Sequence, residues 1–190
     1  HSPIIRGLKK LSINQLQKRR KDIVDFIQQS GHELRFINGG GTGSLSSTIH
    51  ESIVTEVTIG SGLYAPHLFD DYQDFALAPA MCFSLPIVRN PKEGIYTALG
   101  GGYTASGSVT PPKLPKPFLP HGLQLLKHEG AGEVQTPFES KLKLKIGDLV
   151  FFRHAKAGEL LERFNTIYLI RKNKIESIVK TYRGEGMAFL

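Results

Sequence analysis

The sequence has one cysteine, Cys82, and no tryptophan in 190 residues. A single cysteine excludes an internal disulfide and suits a reducing compartment, so the expected location is cytoplasmic. Cys82 falls in the apolar stretch 78–88. A buried, inert thiol is the expectation there rather than a nucleophile. No apolar run approaches the roughly 20 residues that span a bilayer, and the opening residues carry no apolar signal core. Nothing in the chain therefore predicts a membrane segment. The first residue is His rather than Met, which leads us to expect natural sequence upstream of it.

Acidic residues are the minority: 17 against 24 Lys and Arg, for a net charge of +7. Such a balance raises nucleic acid as a partner. Much of the excess lies in Arg6, Lys9, Lys10 and the run Lys18-Arg19-Arg20-Lys21. That run belongs to an expected helix and has few aromatic neighbours on which bases could stack. It reads as a solvated helix face and points away from nucleic acid, while still steering anionic ligands toward the protein. A hydrophobic content of 40% places the chain among globular proteins. Its length fits one large domain or one and a half.

Glycine is abundant and concentrated. An apolar run at 34–37 leads into Asn38-Gly-Gly-Gly-Thr-Gly-Ser44. Glycine reaches backbone angles closed to other residues, so its N–H groups can close around an anion. Thr42 and Ser44 add hydroxyls at the same place. A short helix expected over 46–53 would turn its first N–H groups to the same anion. A phosphate is the group this arrangement predicts. The loop is not the nucleoside-triphosphate P-loop, because no lysine follows the glycines. It is not the dinucleotide fingerprint either, since the glycine spacing differs. A plain glycine turn is the competing reading.

Residues 12–29 read as an amphipathic helix, with Ser12 and Gln15 in a capping-box pattern and Leu16, Ile23, Val24 and Ile27 at helical spacing. Gly31 is placed to end it. Strands follow at 34–37 and 55–59, the second ending in Gly60-Ser61-Gly62-Leu63-Tyr64 and a helical turn near 66–69. This alternation predicts parallel β/α units. Beyond Tyr72 the pattern changes to strands at 81–88, 95–99, 123–126, 133–136, 148–152, 166–170 and 175–181. Residues 171–174 read as a hairpin tip. The segment 109–120 holds five prolines and reads as loop or linker. The expected fold is α/β plus β: the end of a β/α barrel over 1–75 and a mainly β domain over 76–190.

Three stretches carry a family resemblance: 37–44, Glu56-Val-Thr-Ile-Gly-Ser-Gly-Leu-Tyr64, and Glu129-Gly-Ala-Gly-Glu-Val-Gln-Thr-Pro137. Together with the basic, aromatic ending they resemble the C-terminal portion of fold-type III pyridoxal-phosphate enzymes. The similarity is to the D-serine dehydratase-like and D-threonine aldolase-like members, with alanine racemase a more distant relative. The resemblance implies an alanine-racemase-like β/α barrel that carries pyridoxal phosphate, then a β domain. Barrels of this kind often bind phosphate at the loops after their last two strands. By analogy Gly41, Thr42, Gly43 and Ser44 hold the cofactor phosphate, and Gly62 and Tyr64 contribute from the last barrel strand. Ser61 stands where the relatives carry proline.

Two departures follow from the same comparison. The family's catalytic lysine lies on the first barrel strand, upstream of this chain, so any activity belongs to a longer parent. The relatives also place a metal on a His-x-Cys or His-x-Asp pair. The matching stretch here reads Arg153-His154-Ala155-Lys156, and a charged ammonium cannot ligate a cation. A metal site is therefore expected to be absent or rebuilt. His154 is the candidate catalytic residue, for substrate carboxylate contact or acid–base work, against a satisfied histidine at a strand end. Thr58, where racemase-like proteins put an arginine, leans away from simple alanine racemisation. The resemblance implies a lyase of the dehydratase or aldolase type, or a racemase, acting on D-amino acids, and a homodimer at full length. The alternative is a non-catalytic module that binds a phosphate ligand.

Overall fold

In a computed structural model, residues 3–187 of the chain are described. They divide into two compact units, one running to Gly60 and the other starting at Ser61.

The first unit opens with α1 (Pro3–Gln29). It begins nine residues before the expected start at Ser12 (12 − 3), because Ile4, Leu8 and Leu11 continue the helical spacing upstream. Its end is as expected. Gly31 turns left-handed at φ 83, its N–H bonds to the Gln28 carbonyl, and the His32 N–H bonds to the Ile27 carbonyl. This is a Schellman closure, which only a residue tolerant of positive φ closes cheaply. The first strand lies later than expected. The run 34–37 is irregular, and β1 is Asn38–Gly40. The cause is the position of its partner, β2 (Glu56–Thr58), which pairs with it in parallel, Asn38 opposite Glu56 and Gly40 opposite Thr58. Between them Thr42–Ser44 form a 3-10 turn that runs into α2 (Leu45–Thr48). Arg20 of α1 forms an ion pair with the buried Glu51 just after α2.

The second unit is built on one six-stranded antiparallel sheet. Its strands are β3 (Cys82–Lys92), β4 (Ile95–Leu99), β5 (Lys116–Leu119), β6 (Leu123–Leu125), β7 (Gln135–Ser140) and β8 (Leu149–Arg153). Their spatial order is β5-β8-β3-β4-β7-β6. The two outer strands, β5 and β6, are consecutive in the chain and lie against each other, so the sheet curls into a nearly closed barrel. Strand β5 sits inside the proline-rich segment expected to be loop. At an outer position a strand can lose the ladder N–H that proline lacks.

Alternation along these strands sends Phe83, Leu85 and Ile87 of β3, Tyr96 and Ala98 of β4, Phe138 of β7, and Val150 and Phe152 of β8 into one core. Phe83 stacks on Phe152 with ring centroids 5.6 Å apart, and Tyr96 stacks on Phe138 at 5.7 Å. The buried Tyr96 hydroxyl donates to the Leu142 carbonyl at 2.8 Å, so its burial leaves no polar atom stranded. Cys82, by contrast, is exposed at the start of β3, on the face opposite Phe83. Its expected burial is overturned by that alternation. Partial desolvation still pushes the thiol up, away from a reactive thiolate.

After the barrel come α3 (Ala157–Leu161), the hairpin β9 (Thr166–Arg171) and β10 (Lys174–Lys180), and α4 (Tyr182–Glu185). The hairpin tip is where the sequence predicts it. Lys172 and Asn173 both take positive φ, 49° and 61°, the geometry that lets a two-residue turn follow the strand twist. Among the described residues no helix is long and apolar enough to cross a membrane.

Candidate functional site

The glycine loop of the first unit is held from within. The Gly41 N–H bonds to the Thr58 carbonyl at 2.7 Å, extending the β1–β2 pairing by one residue. The Ser44 N–H closes the turn on the Gly41 carbonyl at 3.0 Å. The Thr42 hydroxyl, on a buried side chain, donates to the Ile59 carbonyl. Gly40 and Gly41 take φ 118° and 115°, and a Cβ at Gly40 would stand 3.0 Å from the Thr58 carbonyl oxygen. Glycine is required there for that close approach. The Ser44 hydroxyl makes a long bond, 3.3 Å, to Gly41. Gly43 occupies the first turn of the 3-10 segment, a position whose N–H has no partner within the helix. The loop thus brings residues 41–44 together as expected, with part of their donor capacity already directed at carbonyls. Thr58 exchanges hydrogen bonds with the Asn38 side chain, and Asn38 also donates to Glu56.

The other expected residues, Gly62, Tyr64 and His154, belong to the second unit. Gly62 is buried in the 3-10 segment Gly60–Tyr64, and its carbonyl accepts the Ala65 N–H. Tyr64 is 40% exposed. Ala65, next to it, is buried at a left-handed φ of 49°. That conformation is uncommon for a residue with a Cβ and marks stored strain.

The second unit also holds a buried polar cluster that sequence reading did not assemble. Arg153 closes β8, with its side chain only 8% exposed. Its Nη1 and Nη2 grip the two carboxylate oxygens of Asp70 at 2.8 Å each. Nη2 also donates to the Ala65 carbonyl at 2.9 Å, whereas Nε has no partner among the described residues. Lys116 reaches the same carboxylate at 3.0 Å. Burial alone would raise the Asp70 carboxyl, but the Arg153 and Lys116 contacts outweigh it and hold Asp70 below its ordinary value. His67 sits a turn earlier, its N–H bonded to the His154 carbonyl and its Nε2 2.8 Å from the Leu114 carbonyl. Its pKa is lowered, chiefly by burial.

His154 is 1% exposed, and neither ring nitrogen closes a hydrogen bond among the described residues. The Met81 backbone lies near enough to favour the protonated ring without closing a full bond. Burial dominates, aided by the nearby His67 and Arg153, and lowers the pKa to about 4. At neutral pH the ring is an uncharged imidazole. It can offer one N–H and one lone pair, but it cannot serve as a cation for a carboxylate. For so buried a ring, two nitrogens with no closed bond among the described residues are an unusual arrangement, since buried polar atoms are as a rule hydrogen-bonded. Lys156 points its ammonium at the Ser106 hydroxyl, 2.8 Å away, and Ser106 N–H bonds to Glu159 at 2.7 Å. Among the described residues no group of three or more His, Cys, Asp or Glu stands where it could hold a metal ion.

The signals for Arg153, Asp70 and His67 were weak in the sequence. Arg153 is a charge at the end of an apolar strand, and its partner lies 83 positions away in a loop.

The class of fold follows from comparison with known structures. The chain has the fold of part of a solved D-threonine aldolase, which bears out the resemblance read from residues 37–44, 56–64 and 129–137. One match is a crystal structure of D-threonine aldolase from Filomicrobium marinum, with a TM-score of 0.76 and 14% sequence identity over 95% of this chain. The chain spans half the length of that aldolase, 50%. No family model and no curated protein matches the sequence.

Proposed function

We propose that this chain is the C-terminal part of a pyridoxal-phosphate enzyme acting on D-amino acids, as a dehydratase- or aldolase-type lyase or a racemase. In this reading β1 and β2 are the last strands of the β/α barrel, and the six-stranded sheet is the core of the β domain, with the junction near residue 75. The supporting observation is the likeness to D-threonine aldolase, at a TM-score of 0.76 over 95% of the chain.

The loop residues fit a phosphate in part. Gly40 lets the backbone approach Thr58 closely, and the Gly43 N–H in the first turn of its 3-10 segment and the Ser44 hydroxyl, with its long 3.3 Å bond, are the donors with least to lose. The Gly41 and Ser44 amides and the Thr42 hydroxyl would hold the loop in shape, because they already serve carbonyls. The resemblance adds Gly62 and Tyr64 as proposed cofactor contacts. When bound, pyridoxal phosphate supplies an electron sink that weakens a bond at the substrate Cα.

The chain's own residues then act on geometry and protons. The neutral His154 hydrogen-bonds the substrate through one ring nitrogen and is too weak a base, at about 4, to hold a proton at neutral pH. The Arg153–Asp70 pair fixes the backbone on which His154 sits. The lysine that would bind the cofactor covalently would come from the remainder of the full-length protein, which would be a homodimer in the cytoplasm. With Lys156 bonded to Ser106, we expect turnover without a divalent metal.

Product analysis of the full-length protein tests the assignment. D-Threonine yielding glycine and acetaldehyde marks an aldolase, D-serine yielding pyruvate a dehydratase, and loss of optical rotation alone a racemase. A protein that binds inorganic phosphate but turns over no D-amino acid would support the phosphate-ligand module instead.

A further inference from the structure

Gly39 lies in β1 without the positive φ of Gly40 and Gly41, and it is buried. What the site lacks is room for a side chain. A Cβ there would stand 3.0 Å from the Thr48 methyl of α2, 3.4 Å from the guanidinium carbon of Arg20 in α1, and 3.4 Å from a Val54 methyl just before β2. Three segments thus converge on the residue through which the chain enters the glycine loop.

The same guanidinium holds the other side of the loop. Its Nη1 donates to Glu51, just past the end of α2, whose side chain is only 4% exposed. The Glu51 backbone is fixed there as well: its N–H bonds to the Thr48 carbonyl, and its carbonyl accepts the Val54 N–H. A carboxylate so buried needs a matching charge, and Arg20 is its ion-pair partner among the described residues. One side chain of α1 therefore touches Gly39 on the way into the loop and Glu51 on the way out. Between these anchors lies glycine-rich backbone, which has more conformational freedom to lose than any other. An anion that ordered it would have to offset that loss, and a fixed frame removes part of the cost beforehand.

We infer that the Arg20–Glu51 pair is a strut that sets the 41–44 donors for a phosphate group. The inference rests on reading that loop as the phosphate cradle. Arg20 is a positioning residue and does not itself bind the anion, because its guanidinium is committed to Glu51 and acts through the two ends of the loop.

Equilibrium dialysis of the full-length protein against pyridoxal phosphate, and separately against pyridoxal, tests the strut. The ratio of the two affinities isolates what the phosphate contributes. Arg20→Met combined with Glu51→Gln removes both charges at similar volume and strands no carboxylate, so the fold should hold; the melting temperature checks this. The expected result is a ratio lowered roughly threefold to tenfold, the value of one misplaced hydrogen bond, with the affinity for pyridoxal unchanged. Arg20→Lys keeps a cation for Glu51 but not the planar group against Gly39. It should lower the ratio by less, and it supplies the measurement if the neutral pair does not fold. Hydrogen exchange without ligand gives a second readout, with the 40–44 amides exchanging faster in the variants and those of the six-stranded sheet unchanged. An unaltered ratio in every variant that folds, or two affinities that fall together, would overturn the strut and leave the cradle standing. An unaltered protein that binds pyridoxal as tightly as pyridoxal phosphate would remove the cradle, and the strut with it.

Discussion

Arg153 and Asp70, 83 positions apart in sequence, face each other as a two-pronged ion pair with both bonds at 2.8 Å. The pair joins the end of β8 to the loop that follows Tyr64, and its arginine is nearly excluded from water. Buried guanidinium is tolerable only with such a partner. Removing the carboxylate leaves an uncompensated charge, which typically costs about 3–5 kcal/mol. We therefore expect Asp70→Asn to lower stability by roughly that amount, discounted toward its lower end because Asp70 is partly exposed. The double replacement Asp70→Asn with Arg153→Met should recover part of the loss. Urea denaturation of the chain at neutral pH measures both.

His154 makes stability depend on pH in one direction. Its folded pKa of about 4 lies below the unfolded value of 6.5. Below pH 6.5 the unfolded chain takes up a proton that the folded chain refuses. The contribution is complete above 6.5 and is lost as pH falls toward 4. Linkage puts the loss at about 2–3 kcal/mol. His67, lowered in the same direction by burial, adds to it. Denaturation curves between pH 7 and pH 4.5 should show the decline, and His154→Gln should flatten it. An unchanged slope in that variant would place the titration elsewhere.

Much of this architecture was legible in the sequence. The parallel pairing around the glycine loop, the end of α1 at Gly31 and the 171–174 tip follow from turn chemistry and periodicity, which act locally. What escaped was decided by distant partners. Strand β1 sits at Asn38–Gly40 rather than 34–37 because β2 selects the register. Strand β5 forms despite Pro117 because only one of its edges needs a ladder. Cys82 is exposed because β3 alternates from Phe83, which the apolar composition of 78–88 could not reveal. In the site, the glycine loop announced itself by composition. The Arg153–Asp70–Lys116 cluster did not, since no spacing rule connects residues so far apart.

Two glycines should respond oppositely to alanine. At Gly40 the added Cβ would meet Thr58 backbone at 3.0 Å with φ at 118°, a strained site where about 1–3 kcal/mol of destabilisation is expected. Gly7, in the body of α1, has nothing within 4 Å of the same atom. There alanine should stabilise by about 0.5–1 kcal/mol through helix propensity. Thermal melts of the two variants give the comparison.

Ser44 separates ligand binding from folding. Its hydroxyl contributes little to the loop at 3.3 Å, so Ser44→Ala should leave the melting temperature unchanged. The affinity of the full-length protein for pyridoxal phosphate should fall roughly threefold to tenfold, the value of one lost hydrogen bond. Equilibrium dialysis resolves a change of that size.

The most direct test is borohydride reduction of the full-length protein after incubation with pyridoxal phosphate, followed by peptide mass mapping. The account predicts one lysine carrying a phosphopyridoxyl group, in the remainder of the full-length protein, with labelling weakened by loss of the 41–44 loop donors. Absence of any labelled lysine, or a label that ignores the loop, would contradict it.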